Sequence, residues 1–349
     1  MNKSNLIIIG SGPGGYRAAE YAAKNGLTVT VIEAHEAGGT CLNCGCIPTK
    51  TLCRNAEAIE TLANAETFGI NVNGFQLNFN KVIERKREVV EKLRSGIDTL
   101  MQMPGITFVR GFAHFTDAKT IAVGDETYTA DNIIIATGSS SKCPPIEGLT
   151  LPGVVDSTQL LDIDHIPENL CIIGAGVIGM EFASIFNSFG SKVTVIEFMK
   201  ECLPVLDSDI AKRLRQTIGK RGVEFTMQSA VKSITTSTTE DGKQQLVVNY
   251  EKKGKPQQVN ADTVLIATGR KPNTDGLGLE LAGIEHSTKG IAVDDNFRTN
   301  INNVYAIGDV NGRCMLAHAA TFQGMHVVNH ILGRVDNIKF DIMPSAIFT

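Results

Sequence analysis

Short apolar runs of strand length recur along the chain, each followed by a glycine-rich turn and then by apolar residues at helical spacing. The first run, Leu6 to Ile9, leads into Gly10. The amphipathic helix after it is closed by Gly26, and a β-branched strand then ends in Glu33. The same order returns later. Residues 6–34 read LIIIGSGPGGYRAAEYAAKNGLTVTVIEA and residues 170–198 read LCIIGAGVIGMEFASIFNSFGSKVTVIEF, an offset of 164 residues, with Gly190 and Glu197 in the places of Gly26 and Glu33. A second pair also matches, ADNIIIATGS at 130–139 and ADTVLIATGR at 261–270. One unit, opened by GxGxxG and closed by ATG, therefore occurs twice. The first copy is longer. Its extra length holds a cysteine cluster and a stretch from roughly Asn80 to Met103, where Val82, Ile83, Val89, Val90, Leu93, Ile97, Leu100 and Met101 predict a long helix. Polar hairpins near Gly124-Asp125 and Asp241-Gly242 predict β-meanders, and the βαβ order predicts an α/β fold with parallel sheets. The organisation expected is residues 1–149, residues 150–270 and a third block, 271–349, which contains VYAIGDV at 304–310.

Composition narrows the function classes. Over 349 residues, 33 basic and 37 acidic side chains leave a net charge of −4, which excludes a nucleic-acid binder working through a general basic field. Mean hydropathy near zero, with 34 Gly against 11 Pro, fits neither disorder nor a fibrous class. The absence of Trp argues against an aromatic-rich recognition surface. Eight cysteines, three of them bunched at Cys41, Cys44 and Cys46, are far too sparse for a secreted disulfide scaffold and point to a reducing compartment. The N-terminus runs straight into an apolar strand, leaving no room for a cleavable signal. The longest apolar window, Leu170 to Phe186, is interrupted by Glu181 and three glycines, so no membrane span is expected and the protein is read as cytoplasmic.

Gly10, Gly12 and Gly15 follow a strand and open a helix, and Glu33 lies 23 residues after Gly10. In this order the first glycine makes the tight turn, the second lets backbone approach a pyrophosphate, and the third lets helix and strand pack closely. The helix N-terminus then faces the anion and the acid reaches a ribose hydroxyl pair. Gly174, Gly176, Gly179 and Glu197 repeat the pattern with the same spacing. A carboxylate at Glu197 repels a 2′-phosphate, so the second site is expected to take NAD rather than NADP. Two dinucleotide sites are thus expected on Rossmann-like units.

The stretch GGTCLNCGCIPTK at 38–50 follows the first site and begins a helix, with Pro48 near its first turn. Thiols at a helix N-terminus have lowered pKa values and suit disulfide exchange. Buried structural cysteines and a CxxCxC metal site compete with that reading. Between a Cys41–Cys44 and a Cys41–Cys46 pair, spacing alone does not decide.

Taken together, these residues resemble the flavin-dependent pyridine nucleotide–disulfide oxidoreductases, over essentially the entire chain. The resemblance rests on five ordered motifs: GSGPGG at 10–15, GGTCLNCGCIPTK at 38–50, GAGVIGMEFA at 174–183, ATGRKPNTDGLGLE at 267–280 and VYAIGDV…MLAHAA at 304–320. It implies two Rossmann-like domains, the first binding FAD and the second NAD, with the third block completing the FAD site. It also implies a redox disulfide between Cys41 and Cys46. Cys41 would exchange with a dithiol substrate, Cys46 would lie against the flavin, Lys50 would sit near the reactive flavin nitrogen, and Glu181 would be its ion-pair partner. The FAD positions would be Gly10, Gly12, Pro13, Gly14, Gly15, Glu33, Gly39, Thr40, Lys50, Ala113, Thr137, Gly138, Ser139, Asp309 on the ribityl chain, and Met315, Leu316, Ala317 and His318 leading into a helix whose positive end faces the ring. The NAD positions would be Gly174, Gly176, Val177, Ile178, Gly179, Glu181, Glu197, Val231 and Gly269. No metal is implied.

Glu197, the IPTK ending of the cysteine motif and the EFMKECLPVLDSD segment resemble the lipoamide branch of the family, which oxidises dihydrolipoyl groups and reduces NAD⁺. That branch implies a homodimer whose partner is the lipoyl domain of an acyltransferase or of the glycine-cleavage H protein. Two departures stand out. Cys44 replaces the family's usual Val, and is expected to be a small buried apolar substitute. The chain also stops at MPSAIFT, where the family continues into an interface domain carrying a His–Glu pair. The expectation is that no histidine here is the acid/base and that dithiol turnover is impaired, leaving an FAD- and NAD-binding core.

Overall fold

A computed structural model describes residues 2–240 and 242–349. Its α-helices are, in chain order, α1 (Pro13–Lys24), α2 (Gly39–Asn43), α3 (Cys46–Ala63), α4 (Phe79–Met101), α5 (Ser157–Leu160), α6 (Val177–Phe189), α7 (Ser208–Lys220) and α8 (Ala317–Ile331). The chain divides into two interleaved units, one made of Met1–Cys46, Val90–Ser140 and Arg270–Ser345, the other of Ile47–Val89, Ser141–Gly269 and Ala346–Thr349.

In the first unit the strand Asn2–Ile9 lies between Val29–Glu33 and Glu126–Ile135, parallel to both, with Ile7, Ile8 and Ile9 opposite Ile133, Ile134 and Ile135. Strands buried on both faces of a parallel sheet must be apolar throughout, which is why these runs do not alternate. Ile106–Arg110 extends one edge, and the meander Ala113–Phe115, Thr120–Val123 extends the other through a turn at Gly124. The third block contributes the short strand Val304–Ala306, parallel to Ile133–Ile135, and α8. Gly14 and Gly324 let α8 pack on α1, since a Cβ on Gly324 would lie 2.9 Å from the Gly14 carbonyl oxygen.

In the second unit Val154–Asp156, Thr263–Ile266, Asn169–Ile173, Lys192–Ile196 and Glu224–Thr226 form a parallel sheet in that order. A three-stranded antiparallel meander, Ser229–Thr238, Gln244–Lys252, Lys255–Ala261, accompanies it. Its first hairpin falls where the Asp241-Gly242 turn was expected, and Asp241 itself lies outside the described residues. The Leu170–Phe186 window is a buried strand followed by α6, and among the described residues no helix is long and apolar enough to cross a membrane.

Two local details add to the sequence reading. Leu93 keeps the helical period of α4 yet is exposed, while Lys86 is buried on that helix with its ammonium donating to the Leu161 carbonyl (2.7 Å) and to Asp162 Oδ1 (2.6 Å). The helix expected with Pro48 in its first turn is α3, and a short helix, α2, precedes it within the cysteine motif. α2 ends at Asn43 and α3 begins at Cys46, with the turn at Cys44–Gly45 crowded so that a Cβ on Gly45 would meet the Thr40 carbonyl oxygen at 2.9 Å.

Candidate functional site

The two glycine-rich turns are built alike. Gly10 and Gly174 have φ of +102° and +106°, a left-handed conformation that only glycine adopts without strain. A Cβ on Gly15 would overlap the Gly10 carbonyl oxygen, and one on Gly179 would overlap that of Gly174, so both third glycines are required by close packing. Gly12 and Gly176 are the N-caps of α1 and α6, and neither helix has a side-chain cap among the described residues, so first-turn N–H groups stay available to an anion. Pro13 opens α1, and Val177 and Ile178 open α6.

The strand-end acids also match. Glu33 Oε2 accepts from the Ser11 N–H (2.7 Å) and Oε1 from the His35 N–H (2.9 Å). Glu197 Oε2 accepts from the Ala175 N–H (2.5 Å) and Oε1 from the Met199 N–H (2.7 Å). Each carboxylate thus ties its own glycine turn to the chain leaving the second strand. At the second glycine the units part. The chain after Glu33 folds back so that a Cβ on Gly39 would sit 2.6 Å from Gly12 Cα, whereas a Cβ on Gly176 would meet nothing within 4 Å. That return segment carries Gly39, Thr40 and Cys41 on α2. It is pinned by Asn43, whose Nδ2 donates to the Ala37 (3.0 Å) and Gly39 (3.1 Å) carbonyls.

A disulfide joins Cys41 to Cys46. It takes two of the three clustered thiols, and among the described residues no group of three or more His, Cys, Asp or Glu is placed to hold a metal. Cys46 is the first residue of α3, and Lys50 lies one turn along it.

In the second unit Lys50 Nζ donates to both oxygens of Glu181, at 2.8 and 2.7 Å. Glu181 sits on α6 with its side chain only 4% exposed, so this charge is neutralised by a specific partner rather than by water. The pair has a third neighbour that sequence reasoning missed. The Phe348 N–H donates to Glu181 Oε1 (3.1 Å), the Phe348 ring lies 5.0 Å from Lys50 Nζ, and the Cys53 thiol donates to the Phe348 carbonyl (3.7 Å). Burial, aided by the charge of Glu181, pushes the Cys53 thiol up to about 11.

The ATG turn of the first unit is stapled to the third block. Thr137 Oγ1 donates to the Asn273 carbonyl (2.8 Å), Asn273 Nδ2 donates back to the Thr137 carbonyl (2.9 Å), and the Asn273 N–H donates to the Gly138 carbonyl (3.0 Å). Ser139 Oγ donates to Asp309 Oδ2 (2.5 Å) and accepts from Arg270 Nε (2.7 Å). Arg270 and Asn273 lie inside the ATGRKPN motif, so their position was the available signal for this staple. Gly269, in the second unit, is left-handed at φ +107° and its carbonyl accepts from the Lys142 N–H (3.0 Å). Met315 and Leu316 precede α8, which begins at Ala317, and His318 Nε2 is buried with no hydrogen-bond partner among the described residues. Ala113 lies in the first unit's meander, and Val231 in the second's.

These residues fit dinucleotides. Two uncapped helix N-termini meet backbone cradles, the space beside Gly176 is open, and an orphaned buried imidazole nitrogen stands at the start of α8. In the first unit Gly10–Gly15, Glu33, Ser139, Asp309 and the start of α8 would hold FAD, and in the second Gly174–Gly179 and Glu197 would hold NAD.

Comparison with known proteins agrees with this geometry. The sequence profile of the pyridine nucleotide-disulphide oxidoreductases matches residues 4–324. A dihydrolipoyl dehydrogenase of Acholeplasma laidlawii is 40% identical over 332 residues, covering 94% of this chain and 96% of its own length. One from Chlamydia muridarum (strain MoPn / Nigg) is 38% identical, covering 100% of this chain and 75% of its own. Among solved structures, the HOCl-induced flavoprotein disulfide reductase RclA from Escherichia coli superposes with a TM-score of 0.83 at 35% identity, covering 95% of this chain and 72% of its own.

Proposed function

Because the chain belongs to the pyridine nucleotide-disulphide oxidoreductase family, whose members use FAD and NAD, we propose that it is the catalytic core of a dihydrolipoyl dehydrogenase. The observation that carries this reading is the Cys41–Cys46 disulfide, which lies in the chain between the first dinucleotide turn and Lys50. One thiolate of a dihydrolipoyl group attacks Cys41 Sγ, the Cys41–Cys46 bond breaks, and Cys46 leaves as a thiolate. The second substrate thiol then attacks the mixed disulfide, which releases lipoamide and leaves Cys41 reduced. Cys46, at the first turn of α3, is stabilised as a thiolate by the helix N-terminus. Lys50, held by its ion pair with Glu181, lies one turn further along α3. Bound FAD would supply the two-electron acceptor for this dithiol, and bound NAD⁺ would supply the final hydride acceptor. Glu197 supports NAD over NADP, since its carboxylate would face a 2′-phosphate. Lipoyl domains of an acyltransferase or of a glycine-cleavage H protein are the partners this chemistry requires, in a homodimer and in the cytoplasm.

Anaerobic titration of the purified protein with NADH, followed in the visible spectrum, tests the reading. A flavin spectrum that gains a long-wavelength thiolate–flavin band, together with slow NAD⁺ reduction by dihydrolipoamide, is the expected result. Bleaching without that band, retained in Cys46→Ser, would remove the disulfide from the path. A second reading, a flavoprotein reductase of another disulfide, is favoured by the likeness to RclA. It predicts NADH-driven reduction of a different disulfide and no turnover of dihydrolipoamide.

A further inference from the structure

The Lys50–Glu181 pair is clasped by a residue outside every motif. Phe348 lies in the short segment Ala346–Thr349 that belongs to the second unit, where Ile347 packs on the apolar core that includes Leu52 and Ala56. It meets the pair through two groups and a neighbouring thiol through a third. Its N–H donates to Glu181 Oε1 at 3.1 Å, an oxygen that also accepts from Lys50 at 2.8 Å. Its ring stands 5.0 Å from Lys50 Nζ, within range of a cation–π contact. Its carbonyl accepts from the Cys53 thiol at 3.7 Å, and Cys53 lies on α3 three residues beyond Lys50. The carboxylate therefore has a donor that fixes its rotation, and the ammonium has an aromatic face in place of part of its water. A buried ion pair is well oriented only when its remaining lone pairs and protons are also occupied.

We propose that Phe348 is a positioning residue that holds the Lys50–Glu181 pair in the geometry from which the lysine charge assists flavin reduction. The proposal rests on the reading of Lys50 given above. Three consequences separate it from mere packing. The ring shields the lysine amine from acylation, it sets the rate at which NADH reduces the flavin, and a tyrosine in its place preserves both.

The test uses the FAD-loaded protein with Phe348→Leu, which keeps the N–H and most of the volume, and Phe348→Tyr, which keeps the ring. Acylation of Lys50 by an N-hydroxysuccinimide acetate is read by peptide mass spectrometry, and flavin reduction by NADH is read by stopped flow. Loss of a contact of this kind corresponds to about a 2- to 5-fold change. The expected result is faster Lys50 acylation and slower flavin reduction by that factor in F348L, with both restored in F348Y. F348M replaces F348L should the latter not fold by circular dichroism. Acylation and reduction both unchanged in F348L would overturn the proposal. Faster acylation with unchanged reduction would also overturn it, and Lys50→Met then tells where the failure lies. If K50M slows reduction, Phe348 alone is misassigned; if K50M leaves reduction unchanged, the underlying reading of Lys50 falls and takes the proposal with it.

Discussion

The segments 6–34 and 170–198 are the same device used twice, and they part most clearly at the second glycine. Both have a left-handed first glycine, a third glycine pressed against the carbonyl of the first, an uncapped helix N-terminus, and a glutamate that ties turn to strand. At the second glycine the first copy has Gly39 leaning against it, while the second copy is open. The loop that closes the first copy is the one that carries the cysteines. A shared frame thus takes on two characters through the chain leaving its acid: a return segment with thiol chemistry in one case, open space beside the turn in the other.

The strongest test of the shared frame is a methyl group at the third glycine. Gly15→Ala and Gly179→Ala should each destabilise by about 3 kcal/mol, since neither carbonyl can move without unseating its turn. G15A should abolish flavin retention by absorbance, and G179A should abolish NADH binding by calorimetry. If either binds as the parent does, the packing argument fails for that copy. The asymmetry is tested next. Gly39→Ala adds a Cβ near Gly12 at a φ of +62°, and should cost about 2 kcal/mol in denaturant unfolding. Gly176→Ala meets open space at an ordinary φ of −74°, so it should cost only the loss of a glycine N-cap, less than Gly39→Ala, while weakening NADH binding. Equal melts for the two variants would erase the distinction.

A smaller effect sharpens it further. The loop after Glu33 is held by the neutral Asn43 clamp. The loop after Glu197 is held by Arg215, which donates to Glu201 at 2.6 and 3.0 Å. The Arg215 hydrogen bond holds the Glu201 carboxyl below its usual range, against the opposing effect of burial. Its stabilisation is therefore fully present above the unfolded carboxyl pKa of about 4.3 and is lost as pH falls through the lower folded value. Arg215→Gln should lower the melting temperature by about 2–4 °C at pH 7, for roughly 1 kcal/mol, with the gap closing toward pH 3. Asn43→Ala should lower it by an amount that does not change with pH.

Much of this frame is legible in the sequence, because its constraints are local. Glycine order, strand runs buried on both faces and the acid 23 residues on all act within one βαβ unit. The disulfide partner was not legible from spacing, since three cysteines within six residues all lie within reach of one another, and only the family likeness pointed to Cys46. The break between α2 and α3 had a signal in Gly45. Lys86 was missed because a charge on an apolar stripe reads as a solvated position. Yet Val82, Lys86 and Val90 share one face, and the ammonium finds oxygens 75 and 76 residues away. Phe348 and the Arg270–Ser139–Asp309 staple were missed because contacts over more than a hundred residues leave no periodic trace.

Glu197 also bears on how such a protein can change over generations. The carboxylate expected to choose the coenzyme is the one that accepts from the buried Ala175 N–H and from Met199. A lineage drifting toward a 2′-phosphorylated coenzyme would have to surrender that acid, and with it two charge-assisted hydrogen bonds of about 1.5–3 kcal/mol each. On that expectation coenzyme choice would be tied to fold integrity, and the accessible path would run first through a compensating acceptor at the turn, then through the specificity change.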